Sequence, residues 1–359
     1  SKMNDTWEWD TVSRTWHKFE DLIQSPAGRF YHTMVFDSKS GNIVVFGGTN
    51  GMAPSTIYND IWIWNGTSWS EIEVNGIKPL PASEHSTVYD SVGNRLISSI
   101  WYFSNGQKQD FWIFDFNEKK WDNFSNYGIK PHKRAGSAMA YDENTGKMVL
   151  FGGYYFDSDI QYFGDTWELD TESYIWEERE PSGLKPAIRT GHSMSFDEKR
   201  GKVILFGGSN NEEIFNDIWE WDSENSSWNE LTDISFNPPK RRSHAMAYDK
   251  ENGKTVIFGG SVEGVGFSND LWEWNGEDRL WSERTDAVTK PSLRENHDMV
   301  FNPLSKRIMM FGGYYYQYYA QYYNDLWERD NETGEWTKIS CETNPNQRSF
   351  HQIVFDVNK

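Results

Sequence analysis

Three marks return along this chain in a fixed order, the first of them in steps of 52 to 55 residues. The first reads Arg-x-x-His-x-x-x-aromatic-Asp, as in Arg29, His32, Phe36 and Asp37, and it returns at Arg189/His192, Arg241/His244, Arg294/His297 and Arg348/His351. Arg134 keeps the arginine with Ser137 in the histidine place, and His85 keeps the histidine with Ala82 in the arginine place. The second mark is a glycine pair after a short apolar run, at Gly47-Gly48, Gly152-Gly153, Gly207-Gly208, Gly259-Gly260 and Gly312-Gly313. The third is Asp-x-Trp, from Asp5/Trp7 through Asp325/Trp327, each followed by a second tryptophan, so that fourteen of the 19 tryptophans fall in two registers. A fixed period of this size is the signature of a repeat architecture, in which one unit buries its apolar face only against its neighbours.

Each repeat contains four short strand signals, RFYHTMVF, NIVVF, DIWIW and SWSEIEV in the first copy. Apolar runs of this length bounded by Gly, Asn, Asp and Pro read as strands. The turn between the first two carries Asp and usually Gly, as in DENTG and DEKRG, residues that close tight turns by side-chain bonding and by positive φ. Nothing reads as a long amphipathic helix. Four antiparallel strands per unit with aromatic and glycine markers predict the blade of a β-propeller.

The glycine pair after an apolar strand, the Asp-x-Trp and the second tryptophan resemble Kelch repeats, which run near 50 residues. The resemblance covers the whole chain and implies an all-β, seven-bladed Kelch-type β-propeller as one domain over residues 1–359. The blades expected are 29–80, 81–131, 132–186, 187–239, 240–291, 292–345, and 346–359 completed by 1–24. In that arrangement N-terminal strands close the last blade and remove exposed strand edges. No second strand for blade seven follows Asp356 or precedes Asn4, which fits a chain cut from a longer protein or a three-stranded last blade. Blade two departs most, with Ser99-Ile100 in the glycine-pair place.

The net charge of −19 argues against nucleic acid as a general partner, since phosphate binding needs a basic face. No stretch approaches 18 apolar residues, so membrane insertion is not expected. No signal-peptide pattern opens the sequence, and the reading is a soluble protein of unassigned compartment. A single cysteine, Cys341, excludes an internal disulfide framework.

Strand alternation places the loops that join strand four to one, and strand two to three, on one face. The repeated arginines and a tyrosine run share it. The one-to-two and three-to-four turns, rich in acid, share the other, so a two-faced molecule is expected, acidic on one side and arginine-aromatic on the other. Two readings of the arginines stand open. They offer carboxylate-binding forks to an acidic peptide, a use the Kelch resemblance also implies, or each pairs with the Asp of its own blade's Asp-x-Trp as scaffold. The six histidines of the register, His32, His85, His192, His244, His297 and His351, read as structural side chains on the innermost strand. No metal or other cofactor is expected.

Seven of the ten residues from Tyr314 to Tyr323 are tyrosine. Blade three has an insert of the same length, YYFDSDIQYFG, in which Tyr154 aligns with Tyr314 and Gln161 with Gln321. Both read as elaborated two-to-three loops rather than strands, and as contact surface. Candidate ligand-binding residues are therefore Arg134, Arg189, Arg294, Tyr154, Tyr155, Tyr314, Tyr315, Tyr316, Tyr318 and Tyr319. Kelch-type propellers include copper radical oxidases and sugar mutarotases. The only cysteine lies in ISCETN, after the outermost strand of blade six, which does not suit an oxidase. No Ser-His-Asp elbow, phosphate loop or zinc spacing appears. The expectation is a non-enzymatic recognition propeller for a protein or peptide partner. A carbohydrate-binding or mutarotase-like propeller, with a glycan partner, is the alternative.

Overall fold

The computed structural model describes residues 4–10, 13–51, 56–83, 85–91, 93–102, 108–124, 129–156, 158–232, 236–284, 289–316, 319–331, 333–340 and 345–347. Within them every regular element is a strand, and no helix is long and apolar enough to cross a membrane. Six four-stranded antiparallel sheets follow one another in sequence, one for each expected blade from one to six. The chain divides into two compact units, one formed by 1–128 with short C-terminal pieces and the other essentially by 129–340.

In the second unit, blade four shows why these residues make a blade. Its first strand, Ser193–Asp197, pairs with Lys202–Phe206, which pairs with Ile218–Asp222, which pairs with Ser227–Glu230. The second strand is buried along Val203 to Phe206, so its side chains are apolar without alternation, as a strand covered on both faces requires. The fourth strand buries Trp228 and exposes the two residues after it, the pattern of an outer edge. Consecutive blades then share cores. Ala140, Val149 and Phe151 of blade three pack with Val203, Leu205, Trp219, Trp221 and Trp228 of blade four. Ile204, Phe206 and Ile218 pack in turn with Ile257, Trp272, Trp274 and Trp281 of blade five. Neither face of a blade is covered until its neighbour arrives, which is the dependence the repeat period implies.

In the first unit, blades one and two share a core of the same kind around Phe46, Ile61, Phe114 and Trp121. The N-terminal hairpin pairs Thr6–Asp10 with Thr15–Phe19 and lies against blade one. The Trp69 indole donates to Thr6 Oγ1 at 2.6 Å, and Phe19 meets Trp64 edge-on at 4.5 Å. In the other unit the Trp228 indole of blade four donates to Thr166 Oγ1 on strand three of blade three at 2.7 Å. The N-terminal hairpin thus meets blade one as strands three and four of a preceding blade do. The C-terminal strand expected from Arg348 to Asp356 lies outside the described residues.

Blade two shows what the missing glycine pair does. Strands two and three are eight residues each, Arg95–Tyr102 and Lys108–Asp115, and their pairing continues through Ile100↔Asp110 to Tyr102↔Lys108. Elsewhere the second strand ends at the glycine pair, whose φ angles in blade four are +65° and +95°. Backbone of that kind cannot extend a ladder, whereas Ser99-Ile100 can.

The tyrosine segments correct the loop reading. Tyr314–Tyr316 pairs with Ala320–Tyr322, and Tyr154–Phe156 pairs with Ile160–Tyr162 in the same register. Each is a two-stranded hairpin. Each also bonds the residue after the blade's arginine: Glu295 and Tyr314 exchange backbone bonds at 3.0 Å, and Ala135 and Tyr154 at 2.8 Å. Blade five builds the same small sheet from Arg241–Arg242, Ser261–Val262 and Gly266–Phe267.

Candidate functional site

Among the described residues, the foundation of the hairpin face is a knot repeated in five blades. Arg189 Nη1 and Nη2 donate to the two carboxylate oxygens of Asp217 at 2.6 and 2.7 Å. Nη1 also donates to the Gly207 carbonyl at 2.9 Å, and Nε to the Ala187 carbonyl at 2.9 Å. The same bonds join Arg29 to Asp60, Arg134 to Asp165, Arg241 to Asp270 and Arg294 to Asp325. The Asp-x-Trp indole donates to the same aspartate, as Trp219 does to Asp217 at 2.7 Å. Above four of the guanidiniums, at 4.1–4.2 Å, lies the last aromatic of the two-to-three segment: Tyr58, Phe163, Phe215 or Tyr323.

One guanidinium therefore joins the strap before strand one, the glycine carbonyl, strand three and the returning hairpin. A bidentate fork is suited to this because its geometry is fixed. Burial pushes the Asp165, Asp270 and Asp325 carboxyls up, but the hydrogen bonds and charge of their arginines overcome it and leave them below the usual carboxylate range. The side chains of Arg134, Arg189, Arg241 and Arg294 are 0% exposed. That changes the part given to Arg134, Arg189 and Arg294. Each makes four hydrogen bonds within the blade and is buried, so a ligand reaching this face does not meet an open guanidinium from them. Blade two, with Ala82 in the arginine place, has no such knot, but its Ala82 carbonyl still accepts from Gly48 N of blade one at 2.7 Å, as the Arg241 carbonyl does from Gly208 N at 2.8 Å.

The glycine pair is locked from both sides. A Cβ on Gly207 would stand 2.7 Å from the Arg241 carbonyl oxygen and 3.3 Å from His244 Cε1, both of the next blade, and one on Gly208 would stand 2.8 Å from His192 Cβ of its own. His32, His85, His192, His244 and His297 sit immediately before strand one rather than on it, while His351 lies outside the described residues. Four of them are edge-on to the phenylalanine that precedes the neighbouring glycine pair: His85 to Phe46, His192 to Phe151, His244 to Phe206 and His297 to Phe258. Burial, aided by neighbouring positive groups, brings His85, His192 and His244 down to about 3, so they are neutral inter-blade packing groups near pH 7.

On this foundation stand the aromatic hairpins. In blade six the Tyr314 hydroxyl donates to Glu295 Oε1 at 2.7 Å, and burial together with that carboxylate pushes its pKa up to about 12. The Tyr314 ring stacks on Tyr322 at 5.8 Å. Tyr315 meets Phe267 of blade five at 5.1 Å. These rings hold the hairpin. Beyond them Tyr316 is 55% exposed and Tyr319 76%, while Tyr318 lies outside the described residues. In blade three Tyr154 faces Tyr162 at 6.4 Å, and Tyr155 lies between His132 at 5.2 Å and the Lys133 ammonium at 4.6 Å. Phe156 and Ile160 are its exposed tip.

Sequence reasoning missed Phe267, Glu295, His132 and Lys133. Phe267 had a signal, since it stands in the register of Tyr162 and Tyr322, three residues before the Asp of Asp-x-Trp. The expectation of one plainly acidic face also changes. The turns at the far end carry lysines that bridge neighbouring blades, Lys306 to Glu251 at 2.7 Å and Lys199 to Glu277 at 2.8 Å.

Comparison with known proteins agrees with this architecture. The family model described as the KLHDC2/KLHL20/DRC7 Kelch-repeats domain matches residues 1–126, 101–261 and 249–359. Mei4-dependent protein 6 of Schizosaccharomyces pombe is 28% identical over 70% of this chain and 40% of its own length. Tip elongation aberrant protein 1 of the same yeast is 30% identical over 57% of this chain, but that is only 18% of its length. Kelch domain-containing protein 10 of Mus musculus is 24% identical over 79% of this chain and 69% of its own. The chain thus spans well under half of the first two relatives. With the period, the four-stranded sheets, the glycine lock and the family match in agreement, the chain belongs to the Kelch-repeat family, and its fold is the β-propeller that these repeats build.

Proposed function

We propose that this chain is a non-enzymatic recognition module that holds a partner protein or peptide on the face bearing the two-to-three hairpins. Tyr316, Tyr318 and Tyr319 form its contact surface, and Tyr154, Tyr155, Tyr314 and Tyr315 form its base and seat the hairpins. Arg134, Arg189 and Arg294 act beneath it by fixing where the hairpins stand. The domain reading, one seven-bladed propeller over residues 1–359, belongs to the same proposal. Kelch repeats in related chains support a protein-interaction role.

The observation that carries the reading is the division of labour within one hairpin. Tyr314, Tyr322 and Tyr323 are bonded or stacked onto the blade, whereas Tyr316 and Tyr319 present large rings to solvent from a backbone already held in place. Rigid rings on a preorganised support lose little entropy on binding. The test is selection of a random-peptide phage library on the immobilised protein, with the Tyr316→Ser/Tyr319→Ser variant as counter-target. Peptides enriched on the protein and lost on an equally folded variant are the expected result. Enrichment that ignores the two tyrosines, or no enrichment at all, overturns the proposal.

A further inference from the structure

The charge of the hairpins identifies the partner's chemistry. The two-to-three segments of blades three to six, residues 154–163, 209–215, 261–267 and 314–323, carry Asp157, Asp159, Glu212, Glu213 and Glu263, and no Lys, Arg or His. Asp157 lies outside the described residues, while Asp159, Glu212, Glu213 and Glu263 are exposed. The acids and the rings form one continuous run. Glu263 sits in the turn of the blade-five hairpin, whose Phe267 packs on Tyr315 of blade six, and Glu295 lies beneath Tyr314. Among the described residues three cations adjoin these segments. Lys133 lies over the Tyr155 ring of blade three at 4.6 Å. Lys240 lies 3.9 Å from both Glu213 and Glu263, and Arg242 is exposed on the strand that pairs with Ser261. Asp159, Glu212, Glu213, Glu263 and Glu295 thus stand against three positive charges.

The protein also shows which cation its aromatic rings accept. Four inner rings each carry one of the protein's own guanidiniums at 4.1–4.2 Å, and Tyr155 carries the Lys133 ammonium. Among the described residues no cation lies over Tyr316, Tyr319 or Tyr322. A ring face is an electrostatic site for a cation, and a planar guanidinium stacks on it better than an ammonium does. An acidic segment would meet like charge here, with the repeated arginines buried under the hairpins.

We infer that the partner segment held by the tyrosine hairpins is basic and rich in arginine, its guanidiniums stacking on Tyr316 and Tyr319 and pairing with the hairpin acids. This rests on the recognition reading above and names the partner's chemistry. The net charge of −19 favours the approach of such a segment from a distance.

Four labelled octapeptides of alternating sequence test it by fluorescence anisotropy: Arg-Gly, Lys-Gly, Glu-Gly and Ser-Gly repeats. The expected order is Arg-Gly tighter than Lys-Gly, both at least tenfold tighter than Ser-Gly, and no binding of Glu-Gly. Tyr316→Ser/Tyr319→Ser and, separately, Glu263→Gln should each weaken Arg-Gly binding severalfold while the melting temperature stays unchanged. Arg-Gly binding that ignores both variants would be attraction to the net charge alone and would overturn the inference. So would Ser-Gly or Glu-Gly binding as tight as Arg-Gly. Phage-selected peptides that need the tyrosines but lack arginine would sink this inference and leave the recognition reading standing. The absence of any tyrosine-dependent peptide would sink both.

Discussion

At the residue scale the recurring arginine is the most informative position. Its pairing with the Asp of Asp-x-Trp was one of two readings the spacing permits, because strand alternation already puts both residues at the same end of a blade. The sequence alone does not choose between scaffold and site, since burial decides it and burial depends on the neighbouring straps and the ring above. The consequence is measurable. Arg189→Lys keeps the charge but removes the fork that bonds Asp217 twice and the Gly207 carbonyl once. Each hydrogen bond to a charged group contributes about 1.5–3 kcal/mol, and the charge that lysine keeps, with the partial exposure of Asp217, places the expected loss at about 3 kcal/mol. Denaturant unfolding monitored by tryptophan fluorescence measures it. A loss below about 0.5 kcal/mol would show that an ammonium serves equally and that the knot is not a fork-specific device.

At the element scale, most strands were legible and the tyrosine hairpins were not. Strands two and three announce themselves through continuous apolar runs and paired tryptophans, because they are buried against neighbouring sheets. YYYQYYAQYY has no period of two, so nothing in it marks three residues out and three back. Its pairing is imposed from below, by Glu295 on one strand and by the arginine-stacked Tyr323 at the end of the other. Blade two makes the complementary point. The missing glycine pair was visible as a departure, and its meaning, a ladder that runs on, follows from backbone conformation alone. Two substitutions separate the conformational part of the glycine requirement from the packing part. Gly264 has φ +73° with nothing within 4 Å of a Cβ, so Gly264→Ala should cost about 1 kcal/mol for left-handed backbone. Gly207, at φ +65°, would also drive its Cβ against the Arg241 carbonyl, and overpacking of that kind adds roughly 1–3 kcal/mol. Equal destabilisation of the two variants would mean that the inter-blade lock contributes nothing beyond the φ angle.

At the scale of the whole molecule, stability within each unit is the sum of neighbour-to-neighbour contacts of one recurring kind, and the histidines make that sum respond to pH. His85, His192 and His244 each belong to one blade and pack on the Phe-Gly-Gly end of the preceding one. Their folded pKa values lie near 3, against an ordinary value of 6.5. As pH falls below about 6.5 the unfolded chain takes up protons that the folded chain refuses until about pH 3. Stability is therefore lost across that window, and it is retained above it. Three such groups give a limiting slope of about 4 kcal/mol per pH unit. The aspartates bonded to arginine, held below the usual carboxylate range, add a further loss at the acid end, as pH falls below the ordinary aspartate value of 3.8 and through their own lowered values. Acidification also reduces the net negative charge and the repulsion within the fold, which opposes the loss but is screened by salt. Denaturant midpoints taken at fixed high salt from pH 7.5 to 4.5 should fall throughout. His244→Asn, compared with the parent chain over the same range, should lower the slope by about one proton, roughly 1.4 kcal/mol per unit. Midpoints that stay level or rise toward pH 5 would mean that the histidines take up their protons inside the folded blades, and that packing on the glycine pair does not keep them neutral.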